Sequence, residues 1–150
     1  MSQYVNFFIR HNNGEFVAIG DYSRSNPIYQ ALCDLVPYEG VTPLTQEIYD
    51  NAYEDMTSSI ENYKRLIEDY RKQNALIASM SDPLDKKLEA IAENDSAIKD
   101  LEEEIDIYTV QRYYLTHYFN MNDGWEKNQV WVGIEVSASY LNKEDKEETN

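Results

Sequence analysis

PLTQEIYDNAYEDMTSSIENYKRLIEDYRKQNALIASM, residues 43–80, has no proline or glycine after its first position. Apolar residues return along it at alternating steps of three and four: Tyr49, Tyr53, Met56, Ile60, Tyr63, Ile67, Tyr70 and Ile77, with Asn74 as the one polar interruption. This spacing predicts one long helix with a single apolar seam. Asp82-Pro83 then gives a fresh helix-start signal, and PLDKKLEAIAENDSAIKDLEEEIDIYTVQRYYLTHYF, residues 83–119, predicts a second. Its inner face is read as Leu84, Leu88, Ile91, Asp95, Ile98, Leu101, Ile105, Tyr108, Arg112 and Leu115. Helices joined by so short a turn run antiparallel, which pairs Ile77 with Leu84, Tyr70 with Ile91, Tyr63 with Ile98 and Met56 with Ile105. Asp95 then falls opposite Ile67 and needs relief. Lys99, one turn on, supplies an ordinary ion pair, or Asp95 acts with Asn74 as a register or oligomer determinant.

Ahead of the helices, Val5, Phe7 and Ile9 alternate with Asn6 and Arg10, and Asn12-Asn13-Gly14 separates them from Val17 and Ile19. This predicts a β-hairpin whose three-residue loop uses Gly14 at positive φ, with His11 facing Glu15, Ile9 facing Val17 and Phe7 facing Ile19. Asn26-Pro27 opens a short helix carrying Ile28, Ala31, Leu32 and Leu35, which Val36-Pro37 ends, and Thr42-Pro43 opens the first long one. After a turn at Asn122-Asp123-Gly124, Val130, Val132, Ile134 and Val136 share one face of a strand. Two strands alone are marginal in water, so this strand is expected to complete a small antiparallel sheet with the hairpin. The expected fold is α+β: one domain over residues 1–141 with a protruding helical hairpin over 43–119, then a disordered acidic tail at 142–150.

The 150 residues carry 13 Lys and Arg against 28 Asp and Glu, a formal charge of −15, which repels nucleic acid and anionic membranes and leaves basic partners. Cys33 is the single cysteine, so neither a disulfide within the chain nor a cysteine zinc site can form. No basic n-region or membrane-length apolar run is present, and a cytoplasmic location is expected. His11 and His117 sit in no metal-ligand spacing, and no phosphate-binding glycine loop or nucleophile elbow occurs. The expectation is therefore a non-catalytic protein without metal or cofactor.

Charge placement carries the functional reading. At 100° per residue, Asp82, Asp85, Glu89, Glu93, Asp100, Glu103 and Glu104 fall on one side of the second helix, away from its seam, and Glu54 and Glu61 belong to a seven-residue series on the first. Such rows are ordinary on a solvated helix, but their density is within a factor of two of the phosphates along a DNA strand. Tyr113, Tyr114, Tyr118 and Trp125 cluster beyond them, either as core or as interface anchors. As a physical type this matches the small acidic phage inhibitors of restriction and CRISPR systems, which offer carboxylates where a nucleic-acid-handling protein expects phosphates. The alternatives are an adaptor that self-associates through its helical hairpin, and a small-ligand site in the aromatic cluster.

Overall fold

The computed structural model describes residues 4–37, 40–122 and 129–148, with 144–148 by backbone alone. It is α+β, in the order β1 (Tyr4–Arg10), β2 (Phe16–Ser23), α1 (Pro27–Leu32), β3 (Val41–Pro43), α2 (Gln46–Ser79), α3 (Leu84–Phe119), β4 (Gln129–Ile134) and α4 (Ala138–Glu148). The strands form one antiparallel sheet in the order β2-β1-β4-β3. The chain divides into two compact units, Met1–Met56 with Gln111–Asn150, and Thr57–Val110.

In the first unit the β1–β2 loop folds as its sequence dictates. Gly14 takes φ 88°, its N–H donates to the His11 carbonyl, and the His11 N–H donates to Glu15. Ile9 faces Val17, but an irregularity between Phe7 and Phe8 then shifts the register, so Phe7 meets Gly20 instead of Ile19. A side chain at this position would have no room: a Cβ on Gly20 would collide with the ring and hydroxyl of Tyr118. Tyr118 stacks on Phe7 at 4.5 Å and shares a 2.6 Å hydroxyl bond with Tyr22.

Both faces of the sheet are covered, which is why the adjacent Phe7 and Phe8 are each fully buried. On the Phe8 face lie Phe16, Val136 and Leu141, flanked by Val41, Trp131 and Ala138. Val136 therefore does not continue the face of Val130, Val132 and Ile134. Glu135 turns the chain out of β4 at φ 55°, its N–H bonds the Tyr4 carbonyl, and the Val136 carbonyl accepts from buried Asn6 at 2.7 Å. α4 takes in most of the segment expected as a disordered tail. Asn142 bonds both backbone groups of Phe16, at 2.8 and 2.9 Å, so β2 anchors the helix.

Asn26 caps α1 as read, accepting from the Ile28 N–H. The long helix begins later than residue 43. Thr42-Pro43 belongs to β3, a three-residue edge where proline's missing N–H costs no ladder bond, and Thr45 supplies the cap by accepting from Ile48. At this end the helices meet through Tyr49, which stacks on Phe119 at 4.3 Å and bonds Thr116, and through Arg112 over the Tyr53 ring.

In the second unit α2 and α3 pack antiparallel, one heptad away from the expected register. Asn74 donates to Asp95 at 3.0 Å and accepts from Asn94 at 2.9 Å, so Asp95 faces Asn74 and not Ile67. Tyr63 likewise meets Tyr108, at 5.5 Å, beyond its expected partner Ile98. Asn94 takes the inner position assigned to Asp95, which is exposed. The cause lies at the turn. α2 stops at Ser79, α3 starts only at Leu84, and Lys87 reaches back to cap the Ala78 carbonyl at 3.2 Å. Leu84 and Leu88, expected in the seam, overhang the end of α2 and are 70% and 58% exposed.

Candidate functional site

α3 is unbroken from Leu84 to Phe119, so the side chains on its outer face ride on one rod. Asp85, Glu89, Glu93, Asp100, Glu103 and Glu104 are all exposed there. From the first to the last is about 28 Å at ~1.5 Å per residue, one carboxylate per ~5 Å. Among the described residues none of the six carboxylates makes an ion pair or a side-chain hydrogen bond. Arg71 on α2 does make ion pairs, with Glu68 at 3.1 Å and with Glu102 of α3 at 3.7 Å, and neither uses a member of the row. An unpaired exposed carboxylate keeps its full hydration, so the row is available to an incoming cationic surface without first breaking internal contacts.

Three of the sequence-derived positions fall elsewhere. Asp82 precedes α3 and is off the helical lattice, in the connection before Leu84. Glu54 and Glu61 are exposed on α2, each one residue past an inward position, Tyr53 and Ile60, hence on the flank at about 100° from it. The seams of α2 and α3 face each other in the second unit, so Glu61 and the α3 row look in different directions. A flat partner surface can touch one row only.

The row continues into apolar surface that charge counting passes over. Ile107 and Val110 follow Glu103 at helical spacing and are 45% and 48% exposed. The signal for them in the sequence is two β-branched apolar residues at outward heptad positions.

The aromatic candidates separate. Tyr118 is buried and belongs to the core beneath β1 and β2. Tyr113 and Tyr114 are exposed and pack edge to face at 6.1 Å. Trp125 lies outside the described residues, as do Asp123 and Gly124 of the expected turn. Burial and the Asp34 charge push the Cys33 thiol up, the opposite of an activated nucleophile. Among the described residues no cluster of His, Cys, Asp and Glu could hold a metal ion, and no helix is long and apolar enough to cross a membrane. Comparison with known proteins finds no matching family model, no matching curated protein and no matching solved structure.

Proposed function

We propose that this protein is a non-catalytic interaction module that presents the outer face of α3 to the basic, nucleic-acid-binding surface of another protein, acting as an inhibitor or decoy. The observation that carries the reading is the unpaired carboxylate row of Asp85, Glu89, Glu93, Asp100, Glu103 and Glu104 on one continuous helix. A Lys/Arg groove that tracks phosphates would meet charges at comparable spacing, and the pre-ordered helix removes most of the ordering cost of association. At a formal charge of −15, the chain is also drawn toward basic surfaces over distances beyond contact.

The test is affinity capture from the native host, with each captured protein then assayed against the purified chain. Binding should weaken steeply between about 0.05 and 0.5 M salt and be displaced by duplex DNA. Glu89→Lys, Glu93→Lys and Asp100→Lys together should abolish it while helix content stays unchanged, because exposed substitutions of this kind alter stability by about 0.5 kcal/mol or less each. Binding that survives the triple reversal, or that DNA leaves in place, removes the proposal.

A further inference from the structure

The second unit carries another pair of complementary faces. On α2, Asn62, Arg65, Asp69, Lys72 and Leu76 each stand two residues past an inward position, Ile60, Tyr63, Ile67, Tyr70 and Asn74, which places them about 200° round from the seam. Ser58 continues the line, and all six are exposed. On α3, Ala92, Ser96, Lys99, Glu103, Asp106 and Val110 form a line of the same three-four period on the side turned away from α2, and all are exposed.

From the sequence positions, we infer that a second copy of this chain docks laterally, the α2 line of one copy against the α3 line of the next, both hairpins pointing the same way. Counting in opposite directions from Leu76 opposite Ala92, Lys72 comes opposite Ser96 with Glu93 and Asp100 a turn to either side. Asp69 then meets Lys99, Arg65 meets Glu103, Asn62 meets Asp106 and Ser58 meets Val110. Every charge on one line finds an opposite charge or a hydrogen-bonding group on the other. The alignment is the one that brings Asn74 to Asn94 inside a single hairpin, so neighbouring copies lie side by side without axial offset. Pairing α3 with α3 of another copy would instead set acid against acid. Among the described residues Asp69, Lys72, Lys99, Glu103 and Asp106 make no ion pair, and Arg65 makes only a 3.5 Å hydrogen bond to Asn62.

The two faces differ, so the contact is heterologous and extends into a row or closes as a ring. Exposed ion pairs are individually weak and each copy carries a formal charge of −15, so the association is weak and its test runs up to about 1 mM chain. The inference does not rest on the proposed basic partner, although Glu103 would be covered by either.

Sedimentation velocity of the full chain tests it. At low salt the average mass should rise above 17.6 kDa with concentration, and it should return there at about 0.5 M salt. Arg65→Glu alone, or Glu103→Arg alone, should leave a monomer with unchanged helix content, and the two in one chain should restore the oligomer. A wild-type chain monomeric at about 1 mM and low salt overturns the inference. So does an oligomer indifferent to either single change, or a double variant that associates no better than the singles.

Discussion

Shortening Leu141 to alanine asks whether α4 is part of the folded body or an appendage. Leu141 is 9% exposed and sits with Phe8, Phe16 and Val136, themselves 0%, 5% and 7% exposed. Leucine-to-alanine changes in a closed core cost about 2–5 kcal/mol, and this site at the rim can partly collapse, so the lower end applies, about 2–3 kcal/mol. Asn142→Ala strips both the acceptor and the donor that hold the Phe16 backbone, worth about 1–2 kcal/mol together. For a chain of this size those losses lower the melting temperature by about 5–10 °C for Leu141→Ala and by about half that for Asn142→Ala. Tyr140, on the same helix but 59% exposed, is the internal control, and Tyr140→Ala should change stability by less than about 0.5 kcal/mol. Thermal unfolding followed by far-ultraviolet circular dichroism, with urea midpoints as a second measure, separates the three variants. If Leu141→Ala and Asn142→Ala melt within a degree of Tyr140→Ala, the second face of the sheet is not closed by α4 and the reasoning is refuted.

Gly20→Ala should destabilise the sheet by about 1–3 kcal/mol, because the new methyl meets the Tyr118 ring carbon at 2.8 Å; in a Tyr118→Ala background that penalty should vanish, and additive losses in a double-mutant cycle would disprove the contact. Burial holds the Tyr22 phenol above its usual range, with the hydrogen bond that its protonated hydroxyl donates to Tyr118 and the charges of Tyr118 and Tyr114 adding to it. The folded chain therefore keeps this proton when the unfolded chain has lost it, so stability falls as pH rises past about 10; Tyr22→Phe should flatten that decline, and identical urea midpoints against pH for the two proteins would contradict it.

The helical hairpin and the β1–β2 loop were legible because each rests on local rules. The three-four period of α2 needs no partner to be recognised, and Gly14 announces its own backbone angle. The register of α2 against α3 was not legible, because a heptad seam fits equally well one repeat along, and the choice falls to polar details such as Lys87 on the Ala78 carbonyl and Asn74 between Asn94 and Asp95. The second face of the sheet was hidden for a different reason. Phe8 and Phe16 look like strays from a one-sided alternation until α4 is known to lie over them, and a segment as charged as residues 142–150 gives little sign of packing. Val136 shows the limit of strand alternation, since one residue at positive φ, Glu135, sends its neighbour to the other side. Of the candidate site, the carboxylates on α3 could be placed from helical geometry alone. Asp82 could not, because its position depends on where the helix starts.

The central position of β1 has a consequence during synthesis. Its partner β2 leaves the ribosome at once, but β4, the strand on its other side, follows only after both long helices have been made. At about 5–20 residues per second that is a wait on the order of 6–25 s. Throughout it β1 and β2 have only each other to pair with, a ribbon marginal on its own, whose β1 edge is open and whose Phe7 and Phe8 rings are uncovered on opposite sides. An unpaired strand edge and exposed aromatic rings are what a holding chaperone binds, so this interval is when the chain is most open to one.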